Sequence, residues 1–379
     1  MKRLLLLFGL FGLIGLACSG PTIVTNTLAP TLHPSATQAA ATATLQPTET
    51  VMPTATQPPT ATPLPPIINV ENATKVDKLL EMASPSLRKV VFSPDGKLFA
   101  TASGNDSDFG VKIWQSQGGS LFQSFAGYTG IVWDVTFSPD GQWIASAAND
   151  QKGQGVRIWN VSDGRSLVTL DGPGTASSIA FSPDGTRLAV GGLSGGWPLG
   201  AIWIYDTNSW KRLKVLDATG QNVLALVFTR DGNHLISSGS DGNIRIWTVA
   251  KETEQNRKFH GLQANHLALS PDGSLLASSF CAITGTNGCT KGGTVVWHTS
   301  DWSIVKQFDD MAESLAFSID GSLLITGSGP NDPLVRIRQV NDWTVIKTLP
   351  GPAFNVTMSP DSRLLVTASF DKISLWGLQ

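Results

Sequence analysis

Two cysteines with only seven residues between them, Cys281 and Cys289 in Cys-Ala-Ile-Thr-Gly-Thr-Asn-Gly-Cys, are the most chemically capable neighbours in the chain. Outside the cytoplasm, a pair this close with two glycines between would most simply form a disulfide closing a short loop. Free thiols are the plainer alternative and a metal site the sharper one, but no histidine or third thiol stands near in sequence. The five histidines make no set: His33 lies in a Pro/Thr-rich stretch, and His234, His260, His266 and His298 are scattered. The Gly-x-Ser-x-Gly spelling occurs once, at Gly192-Leu-Ser-Gly-Gly196, but in a Gly-rich loop between two strands and not at a strand-to-helix elbow. No His-x-x-x-His pair is present, so nucleophile–base and metal-ligand arrangements find no support. Carboxylates recur at Asp95, Asp140, Asp184, Asp231, Asp272, Asp320 and Asp361. Each follows the same local phrase between two apolar runs, which marks them as turn aspartates and not as acid catalysts. Asp106 and Asp108 share a loop, but two carboxylates are weak grounds for calcium. These residues predict no enzyme, no cofactor and no metal centre.

Charge narrows the partners further. Charged residues are 15% of the 379 and the formal net charge is −2, so no basic surface exists for a phosphate backbone and nucleic acid is excluded. At the N-terminus Lys2 and Arg3 precede an uncharged apolar run, Leu4 to Leu16. That run falls short of the roughly 20 residues a spanning helix needs and reads as a secretory signal, residues 1–17. Ile14-Gly15-Leu16-Ala17-Cys18 resembles a bacterial lipobox, with Gly15 where such boxes usually carry leucine. The resemblance implies cleavage before Cys18 and diacylation of its thiol, and two or three acyl chains at one site anchor a protein stably. Residues 21–66 hold ten prolines, thirteen threonines and a single charge, Glu49, so they cannot bury a core. Residues 18–66 are therefore expected to be a lipidated cysteine and a disordered stalk that at about 3.1 Å per extended residue reaches on the order of 100 Å. The membrane is touched only through this lipid, and the remaining 67–379 face outward from the cell envelope.

What positions the chemistry is a repeat. Phe92-Ser-Pro-Asp-Gly96 returns as Phe137–Gly141, Phe181–Gly185, Phe228–Gly232, Leu269–Gly273, Phe317–Gly321 and Met358–Ser362, at intervals of 45, 44, 47, 41, 48 and 41 residues. An apolar strand precedes each phrase and another follows it, so Pro-Asp-Gly is the turn of a hairpin. A third strand ends on tryptophan at Trp114, Trp159, Trp247, Trp297 and Trp376, and a shorter fourth follows, such as Ile304 to Phe308. Four antiparallel strands at a period near 44 predict an all-β fold, a seven-bladed β-propeller.

These units resemble WD40 repeats over roughly residues 76–379. The chain departs from that pattern where Tyr205 and Arg338 replace the third-strand tryptophan. No third strand ends on Trp-Asp, with Tyr205-Asp206 the nearest form, and the Gly-His dipeptide is absent. The departures put the family's Asp-His-Ser-Trp hydrogen-bond set in doubt for nearly every blade. The seventh unit ends at Gln379 without a fourth strand, while Val76 to Leu80 has the apolar spacing of one. Residues 76–80 are predicted to pair beside 372–376 and close the ring, with Leu80 in the place of Phe125.

In propellers of this kind the loops between second and third strands share a face with the loops joining blades. Those loops are long in all blades except four and seven, which suggests a face built out for use. Four residues before each Phe position stand Arg88, Trp133, Ser177, Leu224, Asn265, Glu313 and Phe354. Trp133 and Phe354, with Tyr128 and Trp197 on nearby loops and Arg88 and Glu313 beside them, are the candidate partner-binding residues. Trp210, Trp302 and Trp343 recur at the turn into the fourth strand, on the opposite face, and read as rim packing. The expected function is a protein- or peptide-binding scaffold, monomeric as a domain. A glycan or small-ligand propeller would instead show polar groups converging on a pocket at the channel, and an enzyme would cluster acids there.

Overall fold

Seven hairpin phrases become seven four-stranded antiparallel sheets. A computed structural model describes residues 64–379 except 105–108, 151–154, 194–199, 219–220, 251–252, 260–262 and 286–287; of 253–259, 284, 285 and 288 it describes the backbone alone. The signal, Cys18, most of the stalk and Trp197 lie outside the described residues. Blade one runs Leu87–Phe92, Leu98–Ser103, Gly110–Gln115 and Leu121–Phe125, and its successors repeat this order. The first strand of each blade touches the first strand of the next, and the seventh returns to the first. First strands therefore line the centre, and fourth strands, with Leu121, Leu167, Leu213, Ile304 and Val345 exposed, form the outer rim.

The turn chemistry is uniform. In every phrase the Ser or Thr hydroxyl donates to the aspartate at 2.5–2.7 Å, as in Ser93 to Asp95, Thr229 to Asp231 and Ser359 to Asp361. The same carboxylate accepts the N–H two residues on, as from Lys97 and Arg363. Gly96 and its counterparts take the left-handed conformation, and the seventh phrase forces it on Ser362 at φ 53°. A side chain there costs on the order of 1 kcal/mol. Ser362 Oγ offsets it by accepting the Ile319 N–H at 2.7 Å, joining blades six and seven.

The third-strand aromatics hold each blade to its second strand. Indole N–H groups of Trp114, Trp247, Trp297 and Trp376 donate to Thr101, Ser237, Ser278 and Thr367 at 2.8–3.0 Å. In these four blades the hydroxyl–tryptophan half of the doubted hydrogen-bond set is thus present. Blade two interposes Tyr128, whose hydroxyl links Trp159 at 3.1 Å to Ser146 at 2.7 Å. In blade six Arg338 takes the tryptophan's part, donating to Thr326 at 3.2 Å and to Asp310 at 2.6 Å over the ring of Phe308. Blade three has Val190 where the others carry a hydroxyl, and Tyr205 there turns its OH to the carbonyl of Asp171. Trp247, Trp297 and Trp376 are buried as core residues should be, whereas Trp114 and Trp159 are only partly covered. The apolar clusters bridge neighbours: Ile202 and Leu216 of blade three pack with Phe228 and Trp247 of blade four. Trp210 lies against Trp143 at 5.4 Å and Trp343 against Phe308 at 5.8 Å, both as packing between adjacent blades.

Asp77–Ala83 closes the ring by pairing antiparallel with Lys372–Gly377. The strand extends three residues beyond the predicted 76–80, and Met82, not Leu80, sits opposite Ile373 as Phe125 sits opposite Val111. The register differs by two, which leaves each side chain on its expected face, because strand periodicity is two. Val76 is not in the strand; it is buried with Ile68 and Ala73 among residues of blades six and seven.

Candidate functional site

The first strand of blade one does not pair evenly. Its register slips between Leu87 and Lys89, and Arg88 stands out as the unpaired residue. The same slip falls at Trp133, Ser177, Leu224 and Asn265. A bulge bends a strand and re-aims one side chain. In blades six and seven the strands begin at Ser314 and Asn355, so Glu313 and Phe354 precede them. All seven residues, which the sequence places four positions before each Phe, line one funnel of about 920 Å³ at the centre of the ring. The mouth is completed by the second-to-third connections, through Cys281, Cys289, Pro330 and Phe370.

One wall of the funnel is a continuous stack. The Arg88 guanidinium lies 5.0 Å from the centre of the Trp133 ring and 5.6 Å from that of Phe370. Phe370 in turn meets Phe354 with centroids 3.9 Å apart. Cation–π contacts of this kind are worth about 1 kcal/mol when partly desolvated. Phe370 is 47% exposed, so the stack presents an apolar ledge to the mouth. Burial pulls the Arg88 pKa below its usual value, and burial pushes the Glu313 carboxyl up against a lowering hydrogen bond from the Cys289 backbone. Arg88 Nε, Trp133 Nε1 and Asn265 Oδ1 are buried without a hydrogen-bond partner among the described residues.

Deeper charges are satisfied among themselves. Asp134 accepts the N–H of Val135 at 2.9 Å and of Ile179 in the next blade at 3.0 Å, with Lys89 Nζ 3.8 Å away. Its pKa is nonetheless raised, because complete burial outweighs these partners. His266 Nε2 is 3.2 Å from Lys89 Nζ, and burial and that cation hold its pKa well below the ordinary histidine range. The imidazole is thus neutral and accepts from the lysine. Asn355 and Ser314 likewise accept the N–H of Val90 and Val356 in the following blades.

These inter-blade staples are what the sequence reading missed. Three positions before each Phe stand Lys89, Asp134, Ser178, Ala225, His266, Ser314 and Asn355, polar in six of seven blades. That regularity inside otherwise apolar strands was the available signal. Phe370 was missed as well, because it sits in one of the short connections, where no elongation drew attention. Tyr128 is placed differently from its expected role: it is 7% exposed, bonded on both sides and covered by Arg157 at 4.4 Å, so it packs and does not reach the funnel. Trp133, Phe354, Arg88 and Glu313 do come together there.

Cys281 and Cys289 are bonded, with Cα atoms 5.6 Å apart. The segment is not a loose loop but the tip of a hairpin, Leu275–Gly285 with Gly288–His298. Asn331 of blade six donates to the Cys289 carbonyl at 2.9 Å, tying this tip to its neighbour. Among the described residues no group of three His, Cys, Asp or Glu is placed to hold a metal ion, and no helix is long and apolar enough to cross a membrane.

Four stretches, residues 81–115, 119–160, 164–196 and 210–248, match the family model of the WD domain, G-beta repeat. In these four stretches the chain is similar to WD40 repeats. Blades five to seven lie beyond the matched stretches but repeat the four-stranded antiparallel order of blades one to four. Among known proteins, the chain is 26% identical over 157 residues to Target of rapamycin complex subunit wat1 of Schizosaccharomyces pombe, 40% of this chain and 45% of that protein. It is 25% identical over 171 residues to Protein ROOT INITIATION DEFECTIVE 3 of Arabidopsis thaliana, 43% of this chain and 37% of that protein. It is 29% identical over 117 residues to a relative named for the repeat, WD repeat-containing protein SL1-17 of Schistosoma mansoni, 31% of this chain and 37% of that protein. The chain thus matches less than half the length of each of these relatives, all of them eukaryotic.

Proposed function

We propose that this chain is an exported, lipid-anchored binding protein, not an enzyme, whose WD40-type propeller captures a protein or peptide in the central funnel. The observation that carries the reading is the convergence of seven strand-start residues on one cavity, walled by the Trp133–Arg88–Phe370–Phe354 stack. Buried aromatics and arginine at the centre of a surface are the residue types that dominate interface energies. A relative named as a subunit of a complex agrees with binding as the role of the repeats. Anchoring rests on Cys18 after its apolar leader, and outward display rests on the Pro/Thr-rich stalk and the disulfide. The propeller acts as a monomer.

The test pairs the full chain with a Trp133→Ala, Phe354→Ala variant in a cross-linking pull-down from native envelopes. A protein partner retained by the parent and lost by the variant supports the reading, and the same partner held by both refutes the funnel as its site. Labelling with a radioactive fatty acid that follows the parent and not Cys18→Ser supports the anchor. One observation favours a second reading. The funnel's lining includes Ser177, Asn222, Gln263 and Asn265, so polar groups converge as a glycan or small-ligand site requires. An empty pull-down together with saturable binding on a glycan array would favour it.

A further inference from the structure

Among the described residues, four charged side chains line the funnel: Arg88, Lys89, Asp134 and Glu313. Lys89 and Asp134 face each other across blades one and two, Lys89 also meeting His266 and Asp134 accepting backbone N–H groups. Arg88 and Glu313 make no ion pair with any described residue, though each is substantially withdrawn from water. Charges left apart in a half-buried cavity are costly unless something else meets them. What separates them is apolar. A methyl built at Gly329 would lie 2.6 Å from Glu313 Oε1 and 3.2 Å from Phe354 Cε1, so the carboxylate stands beside that ring. From there the wall continues through Phe370 to Arg88. The order along the wall is anion, two aromatic rings, cation.

We propose that the funnel reads an extended peptide segment carrying one basic and one acidic side chain on the same face, Glu313 taking the base and Arg88 the acid. Phe354 and Phe370 cover the aliphatic stems and the backbone between the two charges. Side chains alternate along an extended strand, so the two charged residues stand two or four positions apart, never one or three. The inference rests on the funnel being a peptide site, and it adds the chemistry that selects the peptide. Arg88 is flanked by Trp133 and Phe370, and its guanidinium carries the planar donor fork that meets a carboxylate.

The experiment uses the full chain and fluorescein-labelled, end-blocked peptides on a Gly-Ser background. Their centres are Lys-Leu-Glu, Glu-Leu-Lys, Lys-Leu-Ser-Leu-Glu, Lys-Glu and the uncharged Gln-Leu-Gln, read by fluorescence polarisation. At least one even-spaced charged peptide is expected to bind about tenfold tighter than Gln-Leu-Gln, with the gap shrinking in about 0.5 M salt. Arg88→Gln should erase the advantage of the acidic residue alone, and Glu313→Gln that of the basic residue alone. Equal binding of Gln-Leu-Gln, or a preference for adjacent Lys-Glu, overturns the proposal while leaving a peptide site in place. No binding by any peptide, with a partner still captured through Trp133 and Phe354, overturns the proposal alone. No peptide binding and no captured partner removes the peptide reading with it. Should either variant fail to fold, the comparison of peptides and the salt dependence on the parent chain still decide.

Discussion

The two ends of each central strand are built on opposite plans. At the hairpin end seven phrases make the same turn, a hydroxyl on an aspartate on a backbone N–H. At the funnel end stand Arg88, Trp133, Ser177, Leu224, Asn265, Glu313 and Phe354, no two alike. The turn end solves a local problem, since each hairpin must reverse in the same way whatever its neighbours are. The funnel end solves none, because a bulged side chain meets six others from distant parts of the chain. Uniformity marks what holds the propeller, and variety marks where it acts.

The comparison breaks if substitution at the uniform positions costs little or substitution in the funnel unfolds the chain. Trp247→Ala removes a buried ring and its bond to Ser237, and is expected to cost about 3–5 kcal/mol by urea unfolding, whereas half-buried Trp133→Ala should cost about 1 kcal/mol. Comparable losses at both would end the distinction. Replacing Cys281 and Cys289 together by serine opens a cross-link between residues eight apart, worth roughly 2–3 kcal/mol in the chain-entropy picture. It should also weaken ligand capture, because the hairpin tip supplies the Cys289 backbone to Asn331 and Glu313.

Smaller effects sharpen it. Asp272 is held to a pKa of about 2, first by Ser270 and then by Ser274, so its folded value lies below the usual 3.8. Its stabilisation is complete above that usual value and lost as pH falls toward about 2. Asp272→Asn should therefore cost about 0.5–1 kcal/mol at neutral pH, with the difference from the parent vanishing in strong acid. Glu313 has the opposite sign. Burial raises its pKa, so the folded chain holds the proton more tightly than the unfolded one and the ionised form opposes folding. Glu313→Gln should slightly raise the melting temperature near neutrality, and the gain should disappear below the usual value of 4.5. A funnel residue whose removal stabilises the fold while erasing the preference for a basic side chain would be the clearest mark of a functional position.

Much of this protein is legible without its coordinates, and for one reason: its information is local and repeated. The Ser-Pro-Asp-Gly phrases carry the hairpins, the third-strand tryptophans carry the sheet-to-sheet packing, and the missing seventh fourth strand points to closure from the N-terminal side. Even the seven strand-start residues follow from counting four positions back. Tertiary structure alone decides what counting cannot reach. That Met82 and not Leu80 takes the place of Phe125 depends on how far the closing strand slides, and a slide of two leaves the apolar pattern unchanged. That Tyr128 turns inward depends on an indole and a serine, Trp159 and Ser146, standing where its hydroxyl can join them. That Phe370 stacks on Phe354, and that Arg88 and Glu313 are left on either side of them, depends on closing the ring. A repeat writes its scaffold into every period, but a funnel exists only once all seven periods meet.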